Sequence, residues 1–422
     1  MIRQLKLYVL LLFVPVCLTG QSLQNSNDSQ KVLLLRIKKL EEQLSVLMQQ
    51  MENTKKQDEM QRLLDKAKQL SEQKKVVQAE ANKKFTSGLR QQSALNPNIS
   101  LGGDSYFAWG TSKSEYNRSV SDFSWGTGQV FLREMELALQ ASLDPFSRAK
   151  VYFSFSRESV IIEEGYMEWL NLPLNLNLKL GEYKAQFGKL NRYHDHALPQ
   201  FARPLVFTNL FGTQSLKGFG AAANILLPSI IAHVNELDLE LLSGGNPPVF
   251  TGEGNHNFVF VGHFKNYYDL NRSTYFELGL SAATGFSDEA ESKRTSLGAA
   301  DLTLKWSPPS RSKYREIEWR SEIVFSRAAD QANVFNSWGF YSYIQMKMNE
   351  RWTANVRIDF SQLPMNSGFE EKGFAVSFLY WQSEFVHIRF QFTHINRNFD
   401  ESDNRLIVQT SWAMGPHKHE AY

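Results

Sequence analysis

Two histidine pairs have the clearest capacity for chemistry in this chain. His194 and His196 flank Asp195, and His417 and His419 flank Lys418. A neutral imidazole is a ligand for divalent metals, so each pair offers two donors. No third or fourth ligand stands beside either pair in the sequence, and alternating histidines in loops commonly bind nothing. Both pairs are therefore read as structural or surface histidines, with metal binding as the alternative, and no cofactor is expected. The chain has no strand-turn-helix glycine loop for phosphate, no nucleophile elbow and no histidine-glutamate zinc helix, so no enzymatic step is expected either. The single cysteine, Cys17, lies in the first apolar stretch, which excludes a disulfide.

A second set of residues points to selection rather than reaction. Lys189, Arg192, Asp195 and Arg203 fall in one long segment between strand-like stretches. Charges ringed around an opening choose which ions pass. The same segment carries Leu198, Leu205, Phe207, Leu210 and Phe211, apolar side chains that need something to bury against. Either it folds into a lumen and narrows it, or it folds over a mouth with its charges solvated.

The frame around these charges is written in alternation. Trp352, Ala354, Val356, Ile358 and Phe360 share one parity, and Thr353, Asn355, Arg357, Asp359 and Ser361 the other. A strand puts the two sets on opposite faces, one suited to lipid and one to water. Segments of this kind recur at 98–110, 126–143, 148–157, 160–170, 174–187, 216–227, 230–243, 256–269, 273–285, 296–307, 315–327, 336–348, 352–363, 372–382, 385–396 and 404–414. Sixteen strands, an even number, suit a bacterial transmembrane antiparallel β-barrel, and barrels of that size leave an aqueous channel unless something fills them. Tight connections are expected at one end of the barrel and long ones at the other. Parity sends Glu134, Glu136, Glu164, Glu168, Lys179, Asp238, Glu318, Arg320, Arg357, Asp359 and Arg389 into the lumen, a mixed and slightly acidic lining.

Composition agrees. Thirty phenylalanines, fifteen tyrosines and nine tryptophans suit aromatic girdles at two membrane interfaces. After the first residues no apolar run approaches the roughly 20 residues of a membrane helix, so a membrane-spanning chain must be a closed sheet. A net charge of +2, from 46 basic and 44 acidic residues, argues against nucleic acid as a partner. Arg3 and Lys6 followed by apolar residues from Leu7 to Leu18 read as a secretory signal peptide over 1–20. A polar linker over 21–31 leads to Leu33, Ile37, Leu40, Leu44, Leu47 and Met51, whose spacing predicts a coiled-coil helix over 32–84. A second linker, 85–95, precedes the barrel at 96–422. The expected partners are the lipid bilayer, further copies of the chain in a trimer, and an unidentified component for a helix in the periplasm.

The stretches Asn96 to Asp104, Ala141 to Pro145, Glu163 to Tyr166, Phe187 to Asn191 with His194, His196 to Pro199 and Arg203 to Leu205, and Gly415 to His419 carry a family likeness. From about Asn96 onward the chain resembles Gram-negative outer-membrane barrels similar to the phosphate-selective porins O and P, some of whose members are labelled zinc-regulated TonB-dependent outer membrane receptors. The resemblance implies a porin-like barrel in the outer membrane. A TonB-dependent receptor would need a plug domain and about 22 strands, which this chain has no room for.

Overall fold

The computed structural model describes residues 38–45, 66, 97–113, 129–156, 159–243, 245–252, 257–288, 293–329 and 333–415. The signal segment, most of the predicted coiled coil, His417 and His419 lie outside the described residues. Residues 38–45 are helical, with Leu40 and Leu44 of the heptad seam exposed.

Sixteen strands form one closed antiparallel barrel. They are β1 (Asn98–Gly110), β2 (Gln129–Ser142), β3 (Ser147–Phe155), β4 (Val160–Leu172), β5 (Leu176–Lys184), β6 (Lys217–Leu227), β7 (Val234–Ser243) and β8 (Phe258–Asn271). The circle continues with β9 (Thr274–Phe286), β10 (Arg294–Trp306), β11 (Glu316–Ala329), β12 (Val334–Lys347), β13 (Trp352–Leu363), β14 (Asn366–Trp381), β15 (Val386–Arg397) and β16 (Asp403–Met414). Each strand pairs with its neighbours in sequence, and β1 closes on β16 from Leu101↔Met414 to Gly110↔Arg405. Closure leaves no unpaired sheet edge, as a sheet in lipid requires.

Strand β13 shows why these sequences make this sheet. Thr353, Asn355, Arg357, Asp359 and Ser361 are buried, while Val356 and Ile358 on the other face are 44% and 47% exposed. A barrel whose polar residues are buried and whose large apolar residues are exposed is inverted relative to a soluble protein, and lipid is the solvent that fits its outer face. Ile358 lies near the middle of β13, opposite Ser342 and Phe374. Ile358→Arg should therefore cost about 2–4 kcal/mol in urea unfolding of protein refolded into vesicles. Unchanged stability would mean that this face does not meet hydrocarbon.

The connections differ from expectation in one respect. At the end where β1 begins, the near end, the links include 143–146, 173–175 and 272–273, but also 307–315. The far end carries 111–128, 185–216 and 244–257, but also the tight links 156–159 and 364–365. Tight turns are thus not confined to one end. β14 starts at Asn366 rather than near Lys372 because the hairpin continues past the charged run, where the backbone N–H of Glu370 donates to Asn398 Oδ1 at 2.9 Å. β5 ends earlier than expected, at Lys184, where the chain turns into the barrel.

Candidate functional site: the loop inside the barrel

Segment 185–216, between β5 and β6, lies within the barrel and is fastened to its inner wall almost all the way round. Its base is closed by Asn191, whose Nδ2 donates to the carbonyls of Ala185 and Leu216, both at 2.9 Å, while its Oδ1 accepts from the N–H of Leu216 at 2.8 Å. Gly188 then turns with φ of +63° against β11, where a Cβ would lie 1.4 Å from Glu322 Oε1. Glycine is the residue that fits that turn. The N–H of Gly188 donates to Ser281 Oγ at 2.9 Å, and that of Lys189 to Glu322 at 3.0 Å.

Farther along, the loop reaches the opposite wall. Gln200 donates to Asn355 at 2.7 Å and the N–H of Phe201 to Gln391 at 2.9 Å. Arg389 and Arg357 donate to the carbonyls of Leu198 and Ala202, both at 2.7 Å. A short helix, Leu205–Phe211, buries Val206, Phe207, Leu210 and Phe211 against the inner face, with Phe207 6.2 Å from Tyr341 between ring centroids. Asn209 on this helix donates to Glu371 at 2.7 Å. The apolar residues of the segment thus find their partners inside the lumen, as the first of the two sequence readings requires.

Two β-bulges supply contacts that simple parity hides. Between β1 and β2 the register jumps from Asp104↔Glu134 to Ser105↔Leu132, so Arg133 is the extra residue. Between β3 and β4 it jumps from Tyr152↔Glu164 to Phe153↔Ile162, leaving Glu163 extra. A bulge re-aims one side chain and shifts the alternation by one residue beyond it, so Leu132 and Ile162 face outward although they share parity with the inward Glu134 and Glu164. Arg133 turns inward, donating to Asp195 and to the carbonyl of Phe201, both at 2.9 Å, with its guanidinium 4.5 Å above the Phe201 ring. Glu163 turns inward to Lys184 Nζ at 2.6 Å and His194 Nδ1 at 3.1 Å. The sequence signal is a pair of adjacent charges in a membrane strand, Arg133-Glu134 and Glu163-Glu164, because strict alternation would leave one of each pair in lipid.

His194 is 1% exposed and ringed by acids. Its Nδ1 lies 2.6 Å from Glu136 and its Nε2 2.8 Å from Glu164, and His196 Nδ1 is 3.6 Å from Glu134. Of the structural and surface readings the buried, structural one holds for both, and the neighbours the sequence did not show come from β2 and β4. Burial and the Lys184 ammonium act to depress the His194 pKa, but Glu163 and Glu136 outweigh them and hold it well above the usual imidazole value. Burial likewise depresses His196, and Glu136 and Glu134 more than reverse it.

The four charges proposed for the segment fall into different roles. Asp195 pairs with Arg133 at 2.9 Å and Arg203 at 3.0 Å, and Arg203 also donates to the carbonyl of Tyr193 at 2.6 Å. These two fold the loop on itself. Burial alone would raise the Asp195 carboxyl, but Arg133 and Arg203 hold it below its ordinary range. Lys189 reaches Glu277 at 2.6 Å. Arg192 donates to Gln186 Oε1 at 3.2 Å and makes no ion pair among the described residues.

The parity residues line the inner wall in pairs. Glu168 lies between Arg148 and Lys179, Asp238 accepts from Asn224 at 2.7 Å, Glu318 meets Arg320 at 3.1 Å and Arg357 meets Asp359 at 2.8 Å. Below the loop, at the near end, a cavity of about 260 Å³ is lined by Lys305, Glu318, Arg320, Lys347, His387 and Arg389 among others.

No family model matches the sequence. An uncharacterised protein of Aquifex aeolicus is 27% identical over 329 residues, covering 68% of each chain. Among solved structures, the outer membrane channel DcaP of Acinetobacter baumannii superposes with a TM-score of 0.51 at 9% identity, covering 77% of this chain and 99% of that one. Pseudomonas putida OprB gives 0.52 at 7% identity, covering 76% and 94%. Salmonella typhi OmpF gives 0.50 at 7% identity, covering 77% and 99%. The likeness is one of fold.

Proposed function

We propose that this chain is an outer-membrane porin of a Gram-negative envelope, through which small hydrophilic solutes and ions diffuse past segment 185–216 without a chemical step. The observation that carries this reading is the position of that segment inside a sixteen-strand barrel, fastened to β7, β9, β11, β13 and β15 by polar contacts. A barrel of this size is wide enough for water, and the loop sets the size limit. Lining charges bias which ions pass. Assembly as a trimer, with the amino-terminal helix in the periplasm, belongs to the same reading. The likeness in fold to DcaP, an outer membrane channel, supports it.

The test is conductance of the detergent-folded protein in a planar bilayer, with the reversal potential taken under a salt gradient. Stepwise currents with weak cation preference are expected; a folded barrel that stayed electrically silent would overturn the reading.

Lys189 makes the selectivity dependent on pH. Burial, and then the neighbouring Arg192, lower its ammonium to about 8 against the pull of Glu277. Raising the pH through that value removes a positive charge beside an acid, so cation preference should increase. Lys189→Met should show the higher preference at neutral pH and lose the pH step. Stability moves the same way. Between about 8 and the ordinary lysine value near 10.4 the unfolded chain binds the extra proton, so folding is favoured as pH rises across that window.

A further inference from the structure

We propose that His194, Glu136 and Glu163 form a binding site for a divalent metal ion of the zinc class, which staples the loop to β2 and β4. The three donor atoms lie within 4.8 Å of one another and come from three separate elements. His194 Nδ1 is 2.6 Å from Glu136 Oε2 and 3.1 Å from Glu163 Oε2. Ligand atoms around a tetrahedral zinc with bonds of about 2.0–2.1 Å stand about 3.3 Å apart, so Glu163 is already within about 0.2 Å of that spacing from Nδ1 and Glu136 must draw back by about 0.7 Å.

The surroundings complete the set. Glu164 Oε1 lies 2.8 Å from Nε2 of the same ring. A carboxylate there holds the proton on Nε2 and leaves Nδ1 as the metal ligand, the usual arrangement behind a metal-bound histidine. His196 Nδ1 lies 3.7 Å from Glu136 Oε2, outside the three-donor set. Beside the set is a cavity of about 10 Å³ lined by Asp104, Glu134, Glu136 and His196, about the room one water needs. Asp104 is 0% exposed, and its Oδ1 is a buried acceptor with no hydrogen bond.

Charge and donor type select the ion. Glu134, Glu136, Glu163 and Glu164 crowd four carboxylates around Lys184 and the two histidines, a surrounding that favours a cation. Nitrogen with carboxylate oxygen suits zinc and its first-row neighbours better than calcium, which takes six to eight oxygens.

The experiment is zinc titration of the chelator-washed, detergent-folded full chain, followed by calorimetry and by metal analysis after desalting. One ion per chain is expected, unchanged in His417→Gln/His419→Gln. His194→Gln and Glu163→Gln should abolish binding, and Glu164→Leu should weaken it roughly 10–100-fold. Zinc should also protect the loop from protease in the parent but not in Glu163→Gln. Heat-modifiable migration on gels identifies any variant that fails to fold, and each of the three substitutions tests the site independently of the others. Absence of stoichiometric zinc in the folded parent, binding indifferent to His194→Gln and Glu163→Gln, or binding lost with the two tail histidines would overturn the proposal. Because the readout is metal and not current, a silent barrel that binds zinc would leave this site standing while the porin reading fell.

Discussion

Replacing residues 189–214 by a short glycine-serine turn should give a barrel that folds and passes several-fold more current per channel. The ladder does not depend on the loop, since β5 and β6 pair from Leu176↔Ile225 to Lys184↔Lys217 without it. The loop's contents are what occupy the lumen: the helix Leu205–Phe211 packs against β12 and β13, and Gln200 and Phe201 reach β13 and β15. Removing them admits water to acids that the loop now covers, such as Glu136 and Glu322, and a hydrated carboxylate carries no desolvation cost. The step in cation preference near pH 8 should vanish with Lys189, and the zinc site should vanish with His194. Conductance equal to that of the parent would mean that the current does not run beside this loop.

The amount of this that could be read in the chain differs from feature to feature. In β13 the alternation was complete, because the two faces meet solvents as different as lipid and a polar interior, and every residue from Thr353 to Ser361 takes the predicted side. The β13–β14 hairpin was less legible. Glu370 and Glu371 read as a loop, yet a pairing that extends beyond the expected strand end tolerates charge, and Arg397 meets Glu371 at 2.6 Å there. The destination of the long segment was legible in its apolar content, since Phe207 and Leu210 could not stay in water. Its fastenings were not. Asn191 bonds to Ala185 and Leu216, and an asparagine in a loop carries no mark of such a role. Two of the acids around His194 lie 30 and 58 residues away in sequence, and only the pairing of β2, β3 and β4 with the loop folded inside the barrel brings them to one ring.

The bulges lead to the other large effect, that of Arg133→Met. The guanidinium lies 3.6 Å from Asp104, which is fully buried, and 2.9 Å from Asp195. Methionine keeps much of the stem's volume and removes the charge. Among the described residues Asp104 then keeps the hydrogen bond from Gln409 at 2.6 Å and Asp195 keeps Arg203. Taking one partner from a buried pair costs about 3–5 kcal/mol, because the remaining charge, here Asp104, has lost its ion pair and has no water to replace it. Urea unfolding of the refolded barrel should show that loss, and Asp104→Asn in the same chain should recover most of it, since the amide leaves no charge stranded. The double-mutant cycle then reports the coupling directly. Strict alternation makes the opposite forecast. An arginine facing lipid at this position would be a liability, so methionine would stabilise the barrel. The sign of a single unfolding experiment therefore decides whether the bulge at Arg133 exists, and with it the anchor that holds the Asp195 turn of the loop against β2.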